Sequence, residues 1–285
     1  MIQSMTGYGK HVIQLPTKKI TVEIKSLNSK SLDLNTRVPS AYREKELSMR
    51  KMLASGLTRG KIDFNLFVES TGEETSARIN ETTVKQYMKQ LSQVVDADQT
   101  ELLKMAIKMP DVLKTEREEI NEDEFFEILK AVKLALVEIN IYRSDEGEVL
   151  KNDFLQRITI ISERLEEVLK IDSQRIASVK ERLRNAVNEL KEKTDENRFE
   201  QELIYYLEKY DITEEKVRLE NHLNYFKEAI HSDDSNGKKL GFITQEIGRE
   251  INTIGSKSNF APMQQLVVQM KDELEKIKEQ ALNVL

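Results

Sequence analysis

Between Lys238 and Asn259 the chain reads KKLGFITQEIGREINTIGSKSN, the stretch where apolar and ionisable side chains separate most cleanly. At about 100° per residue on a helix, Leu240, Ile243, Ile247, Ile251 and Ile254 fall on one arc. Glu246, Glu250, Thr253 and Lys257 form a second stripe, flanked by Phe242 and Arg249, while Asn252 and Ser256 point to a third side. Glu246 and Glu250 are four residues apart, so their carboxylates lie one turn apart on one face. Such a pair can hold a divalent cation, or one member can act as a general base. A plain amphipathic helix with a salt-bridged shoulder meets the same pattern.

Other chemistries are excluded residue by residue. The 285-residue chain has no cysteine, which removes disulfides, thiolate metal sites and a Cys nucleophile. It has no G-x-S-x-G, no phosphate-binding G-x-x-x-x-G-K-[ST], no G-x-G-x-x-G after a strand and no H-E-x-x-H. His11, His222 and His231 share no ligand spacing, so a bound metal would rest on carboxylates, which suits Mg²⁺ or Mn²⁺. A second carboxylate group lies in Arg143-Ser-Asp-Glu-Gly-Glu, where Arg143, Glu146 and Leu150 align on a helix with Asp153 near them. Gly147 in the same helix suits a kink, a cap, or the close approach of another element. His222 shares its helix with Leu223 and Phe226 and reads first as a structural histidine.

Charge is unevenly spread. Residues 1–61 hold twelve Lys/Arg and four Asp/Glu, a net +8, which leaves −14 for residues 62–285 out of the total −6. Lys25, Lys30, Arg37, Arg59 and Lys61 lie on or beside the early strands, where they suit phosphate contacts or an ordinary exposed rim. No apolar run approaches the roughly 18 residues of a membrane span, and the N-terminus lacks the pattern of a signal peptide. With no cysteine, the composition is compatible with a reducing cytoplasm.

The elements that must position these groups follow from periodicity. Lys19–Leu27, Ser31–Val38 and Lys61–Glu69 alternate as strands, preceded by a first strand around Gly7, Tyr8 and Gly9. A helix opens at Pro39, is carried by Tyr42–Leu53 and stops at Gly56, which gives β-β-β-α-β with antiparallel pairing. Thr71–Arg78 is a polar connection. Helices are expected over Thr82–Val95, Glu101–Lys108 and Asn121–Tyr142, the last with Asn121 and Glu124 as a capping box. A separate long helix runs from about Ser144 to Lys193, its near-heptad repeat suiting a coiled-coil arm or a helix packed along its length, and hinting at self-association. The polar Thr194–Asn197 breaks it. Then come Phe199–Tyr210, Glu214–His231 with Asp211 and Glu214 as a capping box, a turn at Ser232–Asn236, the opening stretch, and a terminal helix in Met263–Leu285. The fold class is α+β: a small, mainly antiparallel sheet with helices, followed by a long-helix, mostly α region. The expected division is an α+β domain over residues 1–155, a long connecting helix over 156–198, and a helical domain over 199–285.

These residues together resemble the YicC/YloC family of bacterial endoribonucleases. The N-terminal carriers are Ser4-Met5-Thr6-Gly7-Tyr8-Gly9, Glu23-Ile24-Lys25-Ser26-Leu27-Asn28, Leu32-Asp33, Arg37-Val38-Pro39 and Leu57-Thr58-Arg59-Gly60-Lys61. The middle carrier is Arg143-x-x-Glu146-Gly147-x-x-Leu150, and the C-terminal ones begin with Arg218-Leu219-x-x-His222-Leu223-x-x-Phe226. The longest is the family's Gln-Glu-x-x-Arg-Glu-x-Asn-Thr-x-x-Ser-Lys, met by Gln245, Glu246, Arg249, Glu250, Asn252, Thr253, Ser256 and Lys257. One departure follows Asn28, where Ser29, Lys30 and Ser31 replace the family's His-Arg and aromatic.

The resemblance implies a cytoplasmic ribonuclease that cuts structured or single-stranded RNA internally. It also implies a divalent metal, and a hexameric ring holding RNA in a basic interior. On this reading the catalytic set is Glu246, Arg249, Glu250, His222 and Glu146, with Asp153 a further candidate carboxylate and Glu246 and Glu250 as metal ligands. RNA contacts fall to Lys25, Asn28, Lys30, Arg37, Arg59, Lys61, Asn252, Thr253, Ser256 and Lys257. Arg249 would stabilise charge on the transition state, and His222 would serve as general acid. Two rivals are a non-catalytic RNA-binding adaptor that presents RNA to other nucleases, and a coiled-coil scaffold with no salt-dependent RNA affinity.

Overall fold

A computed structural model of the chain describes residues 2–71, 78–114, 121–189, 196–232 and 237–285. The sheet contains β1 (Gly7–Gln14), β2 (Lys18–Leu27), β3 (Leu32–Arg37) and β4 (Gly60–Ser70), in the order β1-β2-β4-β3. Alternation sets its faces. Ile20, Val22 and Ile24 of β2 and Ile62, Phe64 and Leu66 of β4 are buried together, while Glu23, Lys25, Asn65 and Phe67 face away. β1 pairs antiparallel with β2, and β2 with β4.

The expectation that Ser31–Val38 continues an antiparallel meander is corrected. β3 lies on the far side of β4 and runs parallel to it. The reason is the connection that follows. A 3-10 turn over Ser40–Lys45 and helix α1 (Glu46–Gly56) separate β3 from β4, and such a crossover returns the chain in the same direction. Gly60 enters β4 at φ 126°, a backbone that favours glycine.

A small unit follows, with β5 (Arg78–Ile79) paired antiparallel to β6 (Leu113–Lys114), and helices α2 (Glu81–Val94) and α3 (Gln99–Ala106) between them. Asn80 caps α2 by accepting from Thr83 N–H. The polar connection expected at Thr71–Arg78 lies mostly outside the described residues.

The two helices expected over Asn121–Tyr142 and Ser144–Lys193 are one: α4 spans Glu122–Glu189, 68 residues, or roughly 100 Å at 1.5 Å per residue. Gly147 does not break it, because a mid-helix glycine costs only about 1 kcal/mol. Its missing Cβ is needed instead, since an added carbon would stand 2.1 Å from the Ile2 carbonyl oxygen. Asn121 Oδ1 accepts from Asp123 N–H at 2.9 Å, but Glu124 closes no box; its carboxylate accepts from Tyr42 and from Lys18.

α4 joins two cores. Its first half packs Phe125, Ile128, Val132 and Ile139 under the sheet and α1. Its middle packs Phe154, Ile158, Ile161, Leu165 and Val168 against α6 (Thr213–His231), α7 (Gly237–Lys257) and α8 (Ala261–Ala281). The near-heptad repeat is thus spent on packing within the chain. α5 (Glu196–Lys209) leads into α6. Asp211 caps the start of α6 by accepting from Thr213 N–H, whereas Glu214 turns to Arg218. The breaks expected at Thr194–Asn197 and Ser232–Asn236 fall largely outside the described residues.

The chain ends lock together. Met5 N–H donates to the Asn283 carbonyl and Leu285 N–H to that of Gln3, and the carbonyl of Leu285 accepts from Gly237 N–H at the start of α7. Arg143 seals the junction from α4. It is 1% exposed and donates to Ser26 Oγ and to the carbonyls of Met5 and Arg59. Burial without a carboxylate partner pulls its pKa below the usual guanidinium value.

Candidate active site

α7 is placed by its apolar arc: Leu240, Ile243, Ile247, Ile251 and Ile254 are all buried in the second core. That arc turns Glu246 and Glu250 toward α6, where Leu219, Leu223 and Phe226 are buried in the same core. The consequence is a convergence across two helices. One ligand atom each from His222, Glu246 and Glu250 lies within 4.8 Å of the other two. Burial grades across the group: Glu246 is exposed, His222 intermediate, and Glu250 only 4% exposed. His222 thus stands beside the Glu246/Glu250 pair as well as among the apolar residues of its own helix.

Glu250 is the unusual member. It forms no hydrogen bond or ion pair among the described residues, although burying a carboxylate is costly unless it is paired. Two carboxylates at this separation also repel. An imidazole and two carboxylates form a donor set suited to a divalent cation, so the residues present fit one. Arg249 Nη1 stands 3.9 Å from Glu246 Oε2 and stays largely exposed.

The other predicted residues are dispersed. Glu146 accepts from Thr6 Oγ1 at 2.9 Å, and Asp153 pairs with Arg157, so neither joins the cluster. Lys257 Nζ is held by Glu215 Oε1 at 2.7 Å. Thr253 and Ser256 donate back to helix carbonyls of Arg249 and Thr253, and Asn252 is exposed. Asn28 donates to the Leu282 carbonyl at 2.6 Å, and Arg59 Nε to that of Ser29. Lys30 and Lys61 are exposed at the sheet's edge and face. Lys25 and Arg37 line an open groove of about 610 Å³ on the outer face of the sheet, with Arg43, Asn65 and Phe67.

Sequence reasoning passed over Glu215, which is buried with Lys257 as partner and one carboxylate oxygen unpaired, and over Arg43. It also passed over the Asp172 cluster, in which Arg175 and Lys216 each donate to Asp172 at 2.7 Å. The i, i+3 spacing of Asp172 and Arg175 was the available signal.

Comparison with known proteins accounts for the coincidence of these motifs. The description "Endoribonuclease YicC-like, N-terminal region" matches residues 2–152, and "Endoribonuclease YicC-like, C-terminal" matches residues 168–285. The chain belongs to the YicC-like endoribonuclease family. It is 35% identical to the "Probable endoribonuclease YicC" of Clostridioides difficile strain 630 over 293 residues, and 29% identical to the protein of that name in Haemophilus influenzae Rd over 290. Both alignments cover all of each chain. The boundary between the two YicC-like regions falls within α4, beyond its contacts with the sheet. No helix among the described residues is long and apolar enough to cross a membrane.

Proposed function

We propose that the chain is an endoribonuclease that cleaves RNA phosphodiester bonds internally at the His222–Glu246–Glu250 cluster. The observation carrying this reading is the convergence of those three side chains from two of the family's motifs, with Glu250 4% exposed and without a hydrogen-bond or ion-pair partner among the described residues. His222, Glu246 and Glu250 would hold Mg²⁺ or Mn²⁺, which supplies electrostatic stabilisation to phosphoryl oxygens when bound. Glu250 would hold the inner end of the group and Glu246 the exposed end. His222 would serve there as a ligand, so the general-acid role that the resemblance gives it would pass to another proton donor. Arg249, exposed beside Glu246, is placed to neutralise charge growing on the phosphate.

Assembly as a homo-oligomer, a hexamer by the family resemblance, is supported by the stripe Leu134, Val137 and Ile141 on α4, all left exposed. A cytoplasmic location is supported by the absence of cysteine.

The test is cleavage of an internally labelled RNA by purified protein in EDTA, Mg²⁺ and Mn²⁺. Cleavage restored by metal and reduced at least a hundredfold by Glu250→Gln is the expected result. Unchanged cleavage by Glu250→Gln removes the assignment. Retained RNA binding with no cleavage by the wild type under any of these conditions returns the adaptor reading.

A further inference from the structure

Among the described residues no helix covers the outer face of the sheet, yet that face is neither uniformly polar nor flat. Strand register sets its rows: Tyr8 stands beside Lys25, Lys10 beside Glu23, and Asn65 lies between Glu23 and Arg37. Tyr8 is 39% exposed and Phe67 49%, although aromatic rings are normally taken into a core. From strand rise and spacing the two rings stand roughly 16 Å apart, a separation that a few nucleotides of extended single strand can span.

The charges around the rings are mixed: Asp63, beside Lys25 on this face, accepts from Asn35 Nδ2 at 2.9 Å. Lys25, Arg37 and Arg43 line the 610 Å³ groove with Glu23 and Glu46. Both carboxylates already have partners: Glu23 pairs with Lys10 at 3.2 Å, and Glu46 accepts from Arg50 Nε at 2.7 Å and from Thr36 Oγ1 at 2.5 Å. Those bonds hold the Glu46 carboxyl below its usual range, Thr36 contributing most. Arg37 has no ion-pair partner among the described residues, and Lys25 Nζ sits over the Tyr8 ring at 5.7 Å.

We infer that this face is a binding platform for single-stranded RNA, with a base stacked on Phe67, another on Tyr8, and the strand's phosphates held to the side of the rings by Lys25, Arg37 and Arg43. Stacking rings set among cations on an open sheet surface form the combination that grips unpaired nucleotides without reading their sequence. A duplex hides its base faces and leaves the rings nothing to stack on. The platform rests on the reading of RNA as substrate and adds the substrate's form: an unpaired segment of several nucleotides held away from the His222 cluster.

The experiment measures binding of the full chain, in EDTA, to a short oligoadenylate carrying 2-aminopurine, to an abasic chain of equal length, and to a duplex. Phe67→Ala should weaken oligoadenylate binding about tenfold and abolish the stacking quench, and Phe67→Tyr should restore both. Arg37→Ala should weaken the oligoadenylate and the abasic chain alike and lower the salt slope by about 0.7. The inference is overturned if Phe67→Ala binds oligoadenylate as tightly as wild type, or if the abasic chain binds as well as the base-bearing one. It is also overturned if Phe67→Ala changes the mass of the assembly and not RNA affinity, which would make the face a contact between copies. A Phe67 effect on binding in a protein that cleaves no RNA would sink the nuclease reading and leave the platform standing.

Discussion

Asp172 and Glu250 are both buried carboxylates, and they differ in their company. Burial pushes the Asp172 carboxyl up, but hydrogen bonds from Lys216 and Arg175 outweigh it and hold its pKa below the usual value. A depressed folded-state pKa stabilises the fold above the unfolded value, near 3.9, and that stability is lost as pH falls through the folded one. Asp172→Asn should therefore destabilise the helical core by about 3 kcal/mol at pH 7, with the difference from wild type shrinking below about pH 4 in urea titrations. Among the described residues Glu250 has no such cations, and on the proposed reading a divalent ion takes their place. Millimolar Mn²⁺ should raise the melting temperature of wild type, by about 2.7 kcal/mol of added stability at a hundredfold excess over Kd. Neither His222→Ala nor Glu250→Gln should show that gain in calorimetry. The Glu246/Glu250 pair was legible in the sequence because four-residue spacing is local. The approach of His222 to that pair was not, since it depends on α6 lying against α7, a contact between residues more than twenty positions apart.

At the scale of elements, periodicity located the strands and helices and also the buried arc of α7, because each pattern is written in one short window. It erred where a boundary depends on something distant. Tyr142 and Ser144 looked like the end of one helix and the start of another, yet Gly147 is present for the sake of Ile2 and not for a break. Gly147→Ala should accordingly destabilise the protein by about 2 kcal/mol or more, although alanine is the better helix former. A thermal melt showing stabilisation would contradict the close packing of Ile2 on α4. β3 was read correctly as a strand, and its partner was missed, because alternation names a face and not a neighbour. The Asn121 and Asp211 caps were legible for their acceptor halves, while Glu124 and Glu214 found better partners elsewhere.

For the whole molecule, α4 ties the sheet core to the helical core, and the junction is closed by the chain ends. Deleting Leu282–Leu285 removes the acceptor of Met5 N–H, the donor to Gln3, the carbonyl that accepts from Asn28 and the one that meets Gly237. The truncated chain should unfold at markedly lower urea, and exchange at amides of Gly237 and Met5 should rise far more than at Ile128 or Ile158 in the two cores. Uniform exchange across the chain would contradict this.

That closure also sets an order of events during synthesis. Residues 2–5 are made long before their partners, residues 283–285. The Met5 amide and the Gln3 carbonyl therefore stay without these partners until that segment emerges, although Ser4 N–H can meet the Arg143 carbonyl earlier. The sheet, drawn from residues 7–70, has all its strands long before that point and can form as a unit while the rest emerges. Final docking must bridge nearly the full chain length, a non-local contact of the kind that slows folding. A late step in making this protein is then the joining of residues 2–5 to residues 283–285, with Arg143 buried under the seam.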